Sequence, residues 1–200
     1  VVPRPRGGSR PHRGHLLFAA AESGAGYREG MHELQIRRET QDDVPAVHRV
    51  VERAFAEVEY SDQTEPHIVD ALRRAGALTV SLVAVSPDVI GHAAASPVTI
   101  SDGTAGWFGI GPVAVDPDHQ GRGVGSALVE RLVMELRTAG AHGAILLGEP
   151  QFYSRFGFRV LDGLTYPGAP AEYFLALPLH DAPAPRGTVT YHRAFTAPGP

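Results

Sequence analysis

Val113-Ala114-Val115-Asp116-Pro117-Asp118-His119-Gln120-Gly121-Arg122-Gly123-Val124-Gly125-Ser126 reads in order as the end of an apolar strand, a tight turn, a glycine-rich loop and a helix start. Glycines alternate at 121, 123 and 125. Without Cβ atoms they let backbone N–H groups come close to a ligand. An amphipathic helix follows at once, with Ala127, Leu128, Leu132, Val133 and Leu136 at helical spacing. The N-terminus of such a helix carries outward N–H groups and a partial positive charge, so the loop is suited to phosphate. Arg122 adds a formal charge at its mouth. Two other phosphate loops fit worse. The dinucleotide fingerprint needs glycine where Ser126 stands, and the P-loop needs a lysine, of which the chain has none.

Working outward, the strand at 107–115 contains Gly109, Gly111 and Pro112. Proline cannot donate to a ladder, so this pattern predicts a bulge or a splayed edge. The helix is expected from about 122 to 138, ending at Gly140, and Gly143–Leu147 reads as a short buried strand. Pro150 to Phe156 predicts one to two helical turns. Upstream, a strand is expected at 34–37. Asp42 or Asp43 then caps a helix carrying Pro45 in its first turn, and Thr64 caps a second that stops at Gly76. Strands follow at 78–85 and, after a Ser86-Pro87-Asp88 turn, at 89–100, the latter broken by Gly91 and Pro97. Further strands are expected at 158–162, 172–178 and 188–195. The order predicts an α+β fold, a mixed sheet with a parallel strand–helix–strand unit at 107–147.

Composition sets outer limits. The chain has 200 residues, 43% hydrophobic and 20% charged, which suits one globular domain with a sizeable core. Its net charge of −4 points to neither nucleic acid nor an anionic membrane. With no cysteine there is no disulfide, thiolate nucleophile or thiolate metal site, and a cytoplasmic location is expected. All 18 basic residues are arginine. No apolar run of about 18 residues exists. The apolar stretch Leu16–Ala21 is six residues, short of the roughly seven to fifteen of a secretory signal. Residues 1–30 are rich in Arg, Gly, Pro and Ser without periodicity, and read as a disordered extension or a mis-set start, with Met31 as the native start. The alternative is a basic arm touching nucleic acid, disfavoured by the lack of interleaved aromatics.

The pattern Gln120-x-x-Gly123-x-Gly125 resembles the pyrophosphate motif of the GNAT acetyltransferase superfamily. So do Gly91-His92, Ser96-Pro97-Val98, the run from Gly111 to Pro117, and Phe152-Tyr153-x-x-Phe156-Gly157-Phe158, at the expected separations. The resemblance covers about residues 33–179. Gly187–Phe195 looks like the extra C-terminal strand of one bacterial branch, leaving 31–179 as the acetyltransferase domain and 180–200 as C-terminal strand and tail. It implies the acyl-CoA N-acyltransferase fold, a mixed β-sheet flanked by helices, with two parallel strands splayed apart. It further implies that the backbone of Val113 and Val115 pairs with the pantetheine arm of acetyl-CoA. Gln120, Gly121, Arg122, Gly123, Val124, Gly125 and Ser126 would then hold the pyrophosphate. The implied activity is direct transfer of an acetyl group to a primary amine, on a small molecule or a protein, with acetyl-CoA as acyl donor. Neither nucleic acid nor membrane is an expected partner, and a homodimer through the C-terminal strands is compatible with the pattern. The alternative is a non-catalytic acyl-CoA sensor, and a nucleotide-binding protein is disfavoured by the motifs above.

Acetyl transfer needs a neutral amine, a donor for the oxyanion and a proton for the leaving thiolate. Tyr153 is the expected acid, since a phenol of pKa about 10 stays protonated at neutral pH. The family places a tyrosine at this point of the motif. The alternative is a structural aromatic packed beside Phe152 and Phe156, against which helix geometry argues, since those two share a face while Tyr153 points about 100° away. For a base, Glu149, Glu57, Glu59 and Glu65 are open, each more simply a solvated carboxylate, and so is proton loss to water. His92 reads as a hydrogen-bonded structural histidine. The ten histidines lack ligand spacing, so no metal is expected. Ser154 lacks a nucleophile-elbow context. Trp107 and Phe108 read as packing residues.

Overall fold

The computed structural model describes residues 33–58, 61, 63–180 and 184–196, so the expectations for residues 1–30 and Met31 lie outside them. β1 (Gln35–Arg38) leads into α1 (Val44–Phe55) and α2 (Glu65–Arg74), then β2 (Val80–Val85) and β3 (Val89–Pro97). Asp43 precedes α1 but does not cap it with its side chain. Its carboxylate instead accepts from Arg37 at 2.6 and 2.8 Å and from the Thr40 N–H and hydroxyl at 2.8 Å, which starts a 3-10 turn ahead of the helix. Gly91 does not break β3. It is paired with Ala84 and Val115, and a Cβ there would stand 2.9 Å from Leu128 Cδ1, so the glycine admits the following helix layer. After Pro97 the chain leaves the sheet, and β4 (Thr99–Ile100) joins a second one.

β5 (Trp107–Val115) runs antiparallel to β3. Ala93 faces Val113 while Ala95 faces Ile110, so Gly111 and Pro112 together oppose Ala94 and form the expected bulge. α3 (Val124–Thr138) starts two residues later than expected, because Gly121 and Gly123 have φ of +74° and +83° and hold Arg122 out of helix geometry. β6 (Gly143–Leu147) returns parallel to β5, and α4 (Pro150–Tyr153) follows as a single turn continued by a 3-10 turn at Ser154–Phe156.

The C-terminal part departs most from the sequence expectation. Residues 158–162 form no strand. Arg159 makes a single bridge to Ala176 between the left-handed Gly157 and Gly163. A two-residue β7 (Leu164–Thr165) precedes β8 (Phe174–Pro178), which pairs along all of β6. β9 (Gly187–Thr190) ends before Tyr191, and Arg193–Thr196 is a 3-10 turn. The main sheet has the order β1-β2-β3-β5-β6-β8, while β4-β9-β7 forms a separate sheet.

Each face of the main sheet has its own core. Leu128, Leu132 and Leu136 of α3 pack on Leu82, Ala93, Val113 and Leu146. On the other face Val47, Val51 and Phe55 of α1 cover Val83 and Ala114, while Ile68 and Leu72 of α2 join Ile145, Tyr191 and Phe195. Each leucine fully buried here contributes about 1.5–3 kcal/mol, which clamps the two halves around the junction of β5 and β6.

Candidate active site

β5 and β6 pair at only three positions: Trp107 with Gly143, Phe108 with Ala144, and Gly109 with Ile145. β5 then bends at its bulge and continues to Val115 with no strand paired on that edge among the described residues. The Asp116 N–H donates to the Ile90 carbonyl at 2.9 Å, making 116 and 90 a hydrogen-bonded pair. Antiparallel pairing alternates, so the N–H and C=O groups of Val113 and Val115 face away from β3, into the gap. The expected splay is present, and these two residues turn their backbone groups into it. Their side chains are buried, so the backbone is what they offer.

The Gln120 side chain folds back to donate to the Val115 carbonyl at 3.1 Å. It braces the strand end rather than reaching the loop. A Cβ added at Gly121 or Gly123 would meet nothing within 4 Å, so their need for glycine is conformational, while Arg122 between them is exposed. The Val124–Gly125–Ser126 turn opens α3 onto this loop. A second cation comes from α4's side, and sequence reading missed it. Arg155 Nη2 lies 3.4 Å from Ser126 Oγ, with its guanidinium 4.6 Å from the Phe152 ring centre and its Nε donating to the Phe152 carbonyl. The loop thus has arginines on two sides.

Tyr153 is 1% exposed. It does not stand apart from Phe152 and Phe156 as regular helix geometry predicts, but packs beside both of them. Its ring meets Phe152, Phe156 and Phe158 at centroid distances of 4.8, 6.5 and 5.9 Å. A Cβ on Gly148 would stand 2.2 Å from its Cε2, so the glycine after β6 admits the ring. Burial pushes the phenol well above its ordinary pKa.

Of the carboxylates, Glu57 is exposed and Glu59 lies outside the described residues. Glu149 is half-buried at the cap of α4, where its carbonyl accepts from the N–H groups of Phe152 and Tyr153. Glu65 is 2% exposed and accepts from Ser61 Oγ at 2.7 Å, so the reading of a solvated carboxylate fails there. His92 is fully buried with Nε2 2.9 Å from Ser81 Oγ. Ser81 in turn donates to Glu39, which also accepts from Arg73 Nε at 2.7 Å. Burial lowers the His92 pKa, outweighing Glu39. Burial also opposes the charge on Glu39, but hydrogen bonds from His92, Arg73 and Ser81 bring its pKa down to about 2. This network ties β1, α2, β2 and β3 together, on the far side of β5 from the gap. Trp107 is buried, and Phe108 packs against the core on the α3 side. Among the described residues no group of three or more His, Cys, Asp or Glu is arranged to hold a metal ion, and no helix is long and apolar enough to cross a membrane.

Comparison with known proteins accords with this geometry. The family model described as an acetyltransferase (GNAT) domain matches residues 35–161. The N-acetyltransferase YhbS of Escherichia coli K12 is 32% identical over 169 residues, covering 81% of this chain and 98% of the relative. A GNAT family acetyltransferase from Brucella melitensis, solved in complex with acetyl-CoA, superposes with a TM-score of 0.73 at 44% identity, covering 82% of this chain and 99% of that one. The E. coli YhbS structure, in complex with CoA, superposes with a TM-score of 0.77 at 30% identity over 88% and 98% of the two chains. A matched family model over most of the chain, full-length relatives and an open β5–β6 junction agree: this chain belongs to the GNAT family of N-acetyltransferases.

Proposed function

We propose that this N-acetyltransferase takes acetyl-CoA along the open edge of β5 and passes the acetyl group directly to an amine of a small molecule or a protein. One observation carries the reading. The pairing of β5 and β6 stops at Gly109 while β5 runs on, with the backbone of Val113 and Val115 turned into the gap, to a loop of left-handed glycines at the start of α3. An extended pantetheine arm is a strand-like partner for such an edge. The pyrophosphate then falls at the α3 N-terminus, between Arg122 and Arg155. Solved relatives that carry acetyl-CoA or CoA support the same donor.

The thioester is already activated, so the protein's task is to orient the reactants and handle charge. The neutral amine forms a C–N bond to the carbonyl carbon, and the carbonyl π pair moves onto oxygen. On collapse that pair returns, the C–S bond breaks, and sulfur leaves with the bonding pair. The amine's surplus proton passes to water. Tyr153 meets the sulfur. A CoA thiolate has an ordinary thiol pKa near 8.5, below that of the buried phenol, so full proton transfer from Tyr153 is uphill. The phenol acts chiefly by donating a hydrogen bond that stabilises the departing thiolate. Tyr153→Phe keeps the ring and removes the donor. It should lower kcat about 100-fold with the calorimetric affinity for CoA unchanged. An unaltered kcat would remove Tyr153 from the mechanism.

A further inference from the structure

Tyr191 leaves the end of β9 and lies where β5 and β6 part. Its ring rests on Gly109, the last β5 residue paired with β6. A Cβ at Gly109 would stand 2.4 Å from Tyr191 Cε1 and 2.7 Å from Cδ1. Tyr166 and Phe195 hold the ring edge-on at 5.3 and 5.0 Å. The hydroxyl is buried and has no hydrogen-bond partner among the described residues. Ser96, paired across from Gly109, also buries its hydroxyl without a partner among the described residues. Burying such a group unsatisfied is unfavourable, and phenylalanine would fill the same place without that cost. Two buried hydroxyls without a partner among the described residues thus flank Gly109.

The two tyrosines stand on opposite faces. Tyr153 packs in the core beneath α3, and Tyr191 packs in the core beneath α2. Burial above all pushes the Tyr191 phenol upward, so its hydroxyl keeps its proton. Gly148 and Gly109, against which the two rings rest, lie just after β6 and at the last β5 position paired with β6. The reacting thioester has two atoms that gain negative charge, sulfur and the acyl oxygen, and Tyr153 accounts for the first.

Resting on the donor reading above, we propose that Tyr191 is a second catalytic phenol, donating its O–H to the acyl oxygen from the α2 side while Tyr153 serves the sulfur from the α3 side. When the carbonyl π pair moves onto oxygen, the Tyr191 hydrogen bond strengthens, and the phenol keeps its proton throughout. The Val113 N–H, also turned into the gap, gives that oxygen a second donor. Removing one donor from such a pair typically costs 10²–10³ in rate.

The test uses the full chain and acetyl-CoA labelled with ¹³C at the carbonyl, so no acceptor is needed. Difference infrared spectra of wild type should show the bound carbonyl stretch below that of free acetyl-CoA. In Tyr191→Phe the band should move back toward the free position, while calorimetry shows CoA, which has no acyl oxygen, binding both proteins equally. Equal CoA binding also reports that the variant is folded. Binding with the same band in both proteins overturns the role of Tyr191 alone. Failure of wild type to bind either CoA or acetyl-CoA overturns the donor reading and this role with it.

Discussion

Tyr153 has its place because residue 148 has no side chain, and the same relation holds between Tyr191 and Gly109. Gly148→Ala should therefore push the Tyr153 ring out of its aromatic pocket. The expected cost is about 1–3 kcal/mol, read as a lower midpoint in denaturant unfolding; an unshifted midpoint would show that the pocket yields freely. Arg155 acts at longer range. Arg155→Ala should raise the Kd for acetyl-CoA about tenfold, some 1.4 kcal/mol, with kcat little changed, and unchanged binding would take Arg155 away from the phosphates. Because burial raises the Tyr153 pKa, its protonated form persists above about pH 10. The rate profile should climb as the acceptor amine loses its proton, with no falling limb from Tyr153 below that pH. The special backbone at Gly121 and Gly123 was legible in the sequence because a local motif carries it, whereas the role of Tyr153 belongs to the proposal. Arg155 lay inside the motif around Tyr153 but went unnoticed, since its link to Ser126 spans 29 residues. The closeness of Tyr191 to Gly109 is a product of folding that no local pattern records.

Elements were legible where a periodicity persisted. β5 and β6 were read with the bounds the structure shows, 107–115 and 143–147. The bulge could be placed because Gly111 and Pro112 have a definite backbone meaning. The two-residue β4 and β7 carry no period at all, and the second sheet they make with β9 was missed for that reason. The start of α3 was misjudged by two residues because Arg122 is a good helix former held between two left-handed glycines. Gly123→Ala tests that junction. A left-handed alanine costs about 1–2 kcal/mol, and since open space surrounds this position the penalty is conformational. The variant should lose about that much stability and also bind acetyl-CoA more weakly, because the backbone must rotate to relieve the strain. Lower stability with undiminished binding would mean that this loop does not touch the donor.

At the scale of the whole molecule, charge and strand topology act together. The carboxylate of Glu39 links β1 to α2, β2 and β3 through Arg73, Ser81 and His92, contacts 34, 42 and 53 residues apart in sequence. No sequence window contains this network. A carboxylate whose pKa falls from 4.5 to about 2 on folding contributes stability that is complete above pH 4.5 and is lost as the pH drops toward 2. Stability should therefore decline through that window, and Glu39→Gln should be less stable at pH 7 with a shallower decline. An unchanged acid profile would show that the network does not couple these elements. The same topology leaves the sheet whole on both sides of one junction and open at it, and the functional account stands on that opening. The most direct measurement is calorimetric binding of acetyl-CoA, paired with thiol release across a panel of amines, peptides and aminoglycosides. The account predicts one-to-one binding and thiol release that depends on an amine acceptor. Absence of binding, or binding with no acceptor-dependent release from any member of the panel, would contradict it.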